Sequence, residues 1–511
     1  MSFKVLLAFV LALLLVGGGM TFYYAGQEPG PLVKIEQPAA IGGGALALDL
    51  SVDAVGTTLR RLDAVLEQQG RTTPVFSLAS PGTARFAQET PERIRVTQEL
   101  PASAVAGLRD GPARMVVTAS RDVLFGLRRA ETITARELTV RLTPPSLSVV
   151  STLHYVKLGG AEMVVYRVAP PDASSGVQVG DRYYPGYPAS GVSAGKTTGA
   201  PEVDPTLRVA FFGLLFDQDV TTPIRLVAKD PAGNTAQAEF DHRTFPATFD
   251  RRRVQVNDGF FLRVVPAIIA ATPELKLPTD TPEQRLEAFL AINRDLRRAN
   301  EAQIENVSRA PSAEMLWRGP FTRMGRAKSE AVFADHRTYV YGDRDIDQQV
   351  HLGTDLASTR GAPIAAANTG RVMFAGFLGI YGNCVILDHG MGVQSLYAHL
   401  SNASVEVGDR VNRSETIGRS GTTGLAGGDH LHFTMLVAGR PVNPVEWWDP
   451  HWIADRVDRK LADAGLVTRA ATAEPATVAG QKAAANKAPP RATPKPAPKR
   501  KAPAPAPAPK R

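Results

Sequence analysis

The chain of 511 residues has a formal charge of +8, one cysteine and 44% hydrophobic residues. These values exclude a small disulfide-stapled domain, a collagen-like chain and a wholly disordered one, and at about 100 to 200 residues per domain they predict three or four domains. The charge excess is local: ten Lys or Arg face the single acid Glu474 between Val467 and Arg511. The remainder is close to neutral, so composition does not point to nucleic acid.

Val5 to Gly26 carries no charge, and about 20 such residues span a bilayer core. Residues 1–26 are therefore expected to be a signal anchor or a signal peptide. Phe22-Tyr23-Tyr24 at the far end suits an uncleaved anchor in the inner membrane, because aromatic rings favour the membrane–water interface. The body is then expected to be exported, with Lys4 on the inner side, whether it stays anchored or is released by cleavage.

Residues 40–144 and 146–246 alternate apolar and polar positions over short runs broken by Gly, Pro, Asp and Asn, the pattern of half-buried strands. Ile224, Leu226 and Ala228, the turn Asp230-Pro-Ala-Gly-Asn234, and Ala236, Ala238 and Phe240 read as a hairpin. This hairpin resembles the last one of bacterial immunoglobulin-like domains. Met115–Ala119 and Leu138–Leu142 suggest a similar sandwich upstream, and such modules are expected to act as spacers. Residues 247–314 read as a linker. Within it Thr281-Pro-Glu-Gln284 is a capping box that opens a helix over 281–309. Residues 467–511 alternate Ala, Pro and Lys and are expected to form a disordered basic tail suited to polyanions.

Most of the nine histidines lie between Phe321 and Trp452. The informative pieces are His351-Leu-Gly-Thr-Asp355, Tyr397-Ala-His399-Leu400 and His430-Leu-His432-Phe433. On a strand, residues two or four apart share a face, so His430 pairs with His432, and His351 with Asp355 if that segment is extended. Nitrogen and oxygen donors of this kind suit zinc, and two imidazoles with one carboxylate leave a fourth position open, the mark of a catalytic rather than a structural metal. Such a metal makes water a nucleophile near neutral pH and polarises an amide carbonyl, so peptide hydrolysis is the expected chemistry. Spacing alone leaves open which imidazoles bind the metal.

These three motifs, in this order, resemble the lysostaphin-type (LytM-like) zinc metalloendopeptidases of bacterial peptidoglycan; Leu387-Asp-His-Gly390 and Ser420-Gly-Thr-Thr-Gly424 add to the likeness. The resemblance covers residues 315–455. It implies zinc ligands at His351, Asp355 and His432, with His399 and His430 as catalytic histidines that take a proton from water and stabilise the oxyanion. It also implies a β-rich, mainly antiparallel sheet with the site in a groove, peptidoglycan as partner, and Gly421–Gly428 as a flexible groove wall. His389, His336 and His451 are assigned structural or surface roles, and Cys384 that of a small buried hydrophobe.

The chain as a whole thus reads as a mainly β protein in which spacer modules and a helix hold a zinc peptidase away from the membrane. The competing expectations are a latent or non-catalytic relative that regulates other wall hydrolases, and a zinc peptidase acting on secreted protein. Export behind a single N-terminal anchor, with an Ala-Pro-Lys tail, favours the periplasmic face of the inner membrane, or the free periplasm if the segment is cleaved, and the D-alanyl–diaminopimelate cross-link as the bond cut.

Overall fold

A computed structural model of the chain describes residues 3–54, 59–101, 105, 107–192 and 203–467. The basic tail expected from 467 onward lies, apart from Val467, outside these residues. Helix α1, Phe3–Ala25, is followed by a protein built mostly of strands.

The first β unit is a sandwich of two sheets. One is ordered Leu32–Gln37, Ala45–Asp53, Arg93–Pro101, Arg85–Gln88; the other Ala40–Gly42, Arg128–Arg141, Gly111–Val123, Leu59–Gln68, Arg71–Ser77. Alternation drives it: Leu46, Leu48, Leu50 and Val52 from one sheet meet Leu62, Ala64, Leu66, Met115, Val117 and Ala119 from the other in a common core. The sandwich begins at Leu32, upstream of the expected boundary at 40, because Val33 and Ile35 already alternate into that core.

The second β unit pairs the sheet Ser146–Val149, Ala161–Ala169, Leu207–Gly213, Tyr187–Pro188 with the sheet Arg182–Pro185, Ser174–Val179, Ile224–Lys229, Thr235–Glu239. The last two strands form the hairpin read from the sequence, with Leu226 opposite Ala238 and Ala228 opposite Ala236. Both units are sandwiches; neither is shown to be immunoglobulin-like.

The second unit, expected to act as a spacer, packs directly on the region that follows it. Its core is continuous with that of residues 315–455: Val164, Phe211 and Leu226 belong to the same buried cluster as Trp317, Val385, Phe433 and Trp447. Phe211 sits 6.1 Å from Trp317 and 6.0 Å from Trp447, ring to ring. At about 25 cal/mol per Å² of apolar surface, a seam of this kind holds the two units together.

Residues 247–314 are likewise not a loose linker. Arg251–Val256 pairs in parallel with Asp335–Tyr341 and so is the third strand of a three-stranded sheet. Helix α2, Asp258–Ala270, is capped by the Asn257 side chain. Helix α3, Pro282–Ala291, has the expected Thr281–Gln284 capping box and runs through a π-helical turn, Ile292–Leu296, into helix α4, Arg297–Val307. Phe261, Val264, Ile268, Phe289, Ile292 and Ile304 of these helices pack on Leu378, Tyr381, Cys384, Ile386, Leu396, Ala398 and Leu436 of the large sheet.

That large sheet is antiparallel along the order Lys328–Ala331, Thr354–Ala357, Leu431–Val437, Val393–Ala403, Asn383–Gly390, Gly370–Phe377, Arg410–Val411. Its two faces are both covered. One meets the second sandwich, the other the helices, which explains why Leu431–Val437 and Asn383–Gly390 are buried almost without interruption.

Candidate active site

The register of the large sheet assembles the histidines. Asp355 lies directly opposite His432 on one side, and Ala398 opposite His432 on the other. Alternation would send His399, the residue after Ala398, to the far face. Its φ of +60° turns it back, and its ring lies 4.8 Å from that of His430 and 5.7 Å from that of His432. A left-handed non-glycine residue is sparsely populated and costs on the order of 1 kcal/mol or more, a cost the surrounding strands must offset. His351 ends the strand Arg344–His351, and Asp355 belongs to the next, so the two do not share a single extended segment as expected. The break at Leu352-Gly353 brings them together instead. Gly353 is required there: a Cβ would stand 2.5 Å from His432 Nε2 and 2.6 Å from Thr434 Oγ1.

The three expected ligand atoms converge. His351 Nε2 is 2.9 Å from Asp355 Oδ1 and 2.9 Å from His432 Nδ1, and His432 Nδ1 is 3.0 Å from the same carboxylate oxygen. The outer nitrogens settle what these atoms carry. His351 Nδ1 donates to the Val332 carbonyl at 3.0 Å. The Thr434 hydroxyl donates to the Leu352 carbonyl at 2.9 Å, so at 3.0 Å it accepts from His432 Nε2. Each imidazole therefore spends its proton outward and turns a lone pair inward, toward a carboxylate oxygen that also has only lone pairs. Three acceptors in mutual contact are repulsive unless a cation or a shared proton sits among them. Two imidazoles and one carboxylate are a donor set that fits a divalent metal ion, and the three residues form a buried group of metal-binding geometry.

The two remaining histidines are oriented the same way. His399 Nδ1 donates to the Thr423 carbonyl and His430 Nδ1 to the Gly428 carbonyl, both at 2.8 Å. His430 Nε2 stands 3.4 Å from Asp355 Oδ1. Burial holds the His399 pKa well below the usual histidine range, reinforced by His430 and His432. For His430 burial acts downward, but hydrogen bonding and charge from Asp355 outweigh it and raise the pKa. Burial alone would raise Asp355; with a proton shared at His351 in place of a cation, the resulting positive charge and the contacts of His351, His430 and His432 hold it well below the carboxylate range.

Sequence reasoning missed Arg337. It lies on Asp335–Tyr341, and its Nη2 donates to Asp355 Oδ2 at 3.2 Å while its Nε donates to Asp335 at 3.2 Å. The guanidinium occupies the outer carboxylate oxygen and leaves Oδ1 facing the imidazoles. No motif marks it. Thr434 was also missed, although alternation from His432 places it on the same face.

Gly421–Gly428, expected to form a flexible wall, is tied to the sheet through Thr423 and Leu425. Thr423 Oγ1 donates to the Leu400 carbonyl at 2.8 Å and accepts from Asn383 N–H, and Leu425 N–H bonds the Ile380 carbonyl. Gly424, with φ +72°, would place a Cβ 2.4 Å from backbone atoms of Ile380 and Gly382. Gly427 and Gly428 alone in this run combine exposure with open space for a side chain. His389 is buried, bonded to the Thr369 carbonyl and to Ser395 Oγ. Cys384 is buried, and His451 is exposed.

Residues 349–444 match the model of peptidase family M23; the chain thus carries a peptidase family M23 domain. Among curated proteins, 97 residues are 44% identical to "DD-carboxypeptidase/endopeptidase Mpg" of Neisseria meningitidis, covering 19% of this chain and 22% of that protein. Over 96 residues it is 40% identical to "Peptidoglycan DD-endopeptidase ShyA" of Vibrio cholerae, again 19% and 22%. The chain thus spans about a fifth of the length of the curated relatives it matches. Among solved structures, the catalytic domain of lysostaphin from Staphylococcus simulans is 29% identical, covering 24% of this chain and 92% of that one at a TM-score of 0.21.

Proposed function

We propose that this protein is a zinc-dependent endopeptidase that hydrolyses peptide cross-links of bacterial peptidoglycan, with α1 anchoring it in the inner membrane and the body in the periplasm. The observation that carries the reading is the convergence of His351 Nε2, His432 Nδ1 and Asp355 Oδ1, all three with lone pairs inward. The similarity to the peptidoglycan DD-endopeptidases supports the substrate class. Among the described residues one helix, Leu6–Ala25, is long and apolar enough to cross a membrane.

His351, Asp355 and His432 would hold the zinc ion. When bound there, the ion supplies Lewis acidity toward the scissile carbonyl and makes water a usable nucleophile at neutral pH. The chain's own residues do the rest. His399, held neutral by burial, accepts the proton of the attacking water at Nε2. His430, whose pKa Asp355 raises, donates from Nε2 to the carbonyl oxygen as it gains charge. Arg337 holds the Asp355 carboxylate in place through its outer oxygen. The Thr423 and Gly428 carbonyls hold the two catalytic rings in the required tautomer.

The reading is tested by incubating the full chain with purified sacculi and identifying the released muropeptides by mass spectrometry, with a glycine-rich protein as the alternative substrate. Release of monomeric stem peptides ending at the D-alanyl–diaminopimelate bond supports it. Cleavage of the protein substrate with intact sacculi would move the substrate class to secreted protein.

A further inference from the structure

We propose that the tip of the hairpin Gly111–Val123/Arg128–Arg141 is a membrane-docking element that inserts Phe125 and Leu127 into the interfacial zone of the bilayer holding α1. The inference rests on the reading of α1 as an anchor and adds a second contact with the same lipid surface.

Four observations carry it. First, Phe125 and Leu127 are 104% and 73% exposed. One exposed apolar side chain is ordinary, but two large ones at a loop tip are not what a water-facing turn selects. Second, the tip is held outward by backbone that bulky residues rarely adopt: Leu124 and Phe125 have φ of +52° and +55°. A turn built for water alone would place Gly or Asn at such positions.

Third, the tip is fastened to the end of α1. Arg128 Nη1 donates to the Phe22 carbonyl at 2.7 Å, and its guanidinium lies 4.5 Å over the Phe22 ring. Ala25, Val123 and Ala130 form a small buried cluster beside Leu124. The height of the tip is therefore set by the last turn of α1. The 23 residues of α1 span about 35 Å at 1.5 Å each, slightly more than a hydrocarbon core of about 30 Å. Phe22, Tyr23 and Tyr24 then fall in the headgroup zone where aromatic side chains concentrate, and Arg128 and Leu124, on either side of Phe125, tie the tip to that turn.

Fourth, the charges around the tip suit anionic lipid. Arg60, Arg61, Arg121, Arg128 and Arg129 outnumber Glu28, Asp63, Asp122 and Glu131 by one, and Arg60 and Arg129 share Asp122 at 2.5 and 3.8 Å. The surplus is small, so the apolar pair carries most of the contact and the guanidinium groups orient it.

The test uses the full chain reconstituted in vesicles of phosphatidylethanolamine and phosphatidylglycerol. A polarity-sensitive fluorophore is attached in turn at Phe125→Cys, at Val10→Cys within α1 and at Val407→Cys on the peptidase surface; Cys384 is buried. Quenching by lipids carrying a nitroxide on the acyl chain is compared with quenching by aqueous iodide. The expected result is lipid quenching with a blue-shifted emission at positions 10 and 125, and iodide quenching at 407. If 10 is lipid-quenched while 125 behaves like 407, the docking element is overturned and the anchor stands. If neither 10 nor 125 meets lipid, the anchor reading fails and takes the docking element with it. Phe125 and Leu127 are exposed, so these substitutions do not disturb the core, and a double Phe125→Ser, Leu127→Ser variant is expected to raise iodide access to a label at Arg129→Cys several-fold.

Discussion

Thr434 decides which nitrogen of His432 faces the cluster. By giving its own proton to Leu352 and accepting from His432 Nε2, it leaves Nδ1 as the inward lone pair. Replacing Thr434 with valine keeps the shape and removes the acceptor. Outer hydrogen bonds of this kind are worth about 10- to 100-fold in metal affinity, so Thr434→Val should weaken zinc binding by that order in a competitive chelator titration, with the fold unchanged by circular dichroism. His399 makes the complementary prediction. It makes no hydrogen bond to the three converging atoms of His351, Asp355 and His432, so His399→Ala should retain stoichiometric zinc while turnover of sacculi falls by about 10²- to 10⁴-fold, the usual worth of a general base. Loss of zinc in that variant would assign His399 to the metal instead.

At the scale of elements, the helices α2 to α4 form the second wall of the peptidase domain. Phe289 is the pin: its ring lies 4.8 Å from Phe261 and 5.7 Å from Tyr339, and it is fully buried. Phe289→Ala should cost about 3–5 kcal/mol by urea denaturation, and a cost under about 1 kcal/mol would show that the helices are not integral to the domain. The wall is clamped to the loops of the site as well, since Asn300 Oδ1 accepts from Ile380 N–H at 3.0 Å and Arg263 reaches the Gly427 carbonyl at 3.3 Å.

The strands were the readable part of these elements. Leu226–Ala238 pairing and the His430/His432 alternation follow from a period of two, and the Thr281–Gln284 cap from local hydrogen-bonding chemistry. Helix α2 was not readable, because its apolar run Phe260–Ile269 contains Pro266 and reads equally as a buried strand. His399 illustrates a deeper limit. Its motif is visible, but alternation puts it on the wrong face, and only a positive φ set by neighbouring strands returns it to the site. Arg337 had no local signal at all; its role comes from the strand pairing that sets Asp335 opposite His351.

Over the whole molecule, the second sandwich and the peptidase domain are welded by polar as well as apolar contacts. Lys460 Nζ bonds Glu162 at 2.6 Å with both groups buried, and Glu446 accepts from Ala161 N–H at 2.8 Å. Gly160 leaves room for Glu446, since a Cβ there would lie 2.3 Å from its Oε1. Residues 315–455 share a buried core with the second sandwich, so an isolated fragment would expose Phe433, Trp317 and Trp447.

The weld makes stability depend on pH. Burial, with Glu162 adding to it against the Ala161 N–H, pushes Glu446 up to about 8 from 4.5. The folded state then holds a proton that the unfolded state releases, so this group's contribution is full below about 4.5 and is lost as pH rises toward about 8. His154, lowered to about 4 chiefly by burial, acts in the opposite sense and costs stability as pH falls below 6.5. The difference between the wild type and Glu446→Gln isolates the first effect. The variant should lose the decline in thermal midpoint between about pH 4.5 and about 8, and identical profiles would show that Glu446 is ionised in the folded protein.

The central claim is that two imidazoles and one carboxylate hold a metal ion that drives hydrolysis of the wall. It is tested most directly by measuring zinc content and muropeptide release from sacculi side by side for the full chain and for Asp355→Ala. One zinc per chain with release of cross-link fragments, both lost in a variant that remains folded, is the predicted result. A full chain that carries no stoichiometric metal, or an Asp355→Ala variant that turns over sacculi as fast as the wild type, would contradict it.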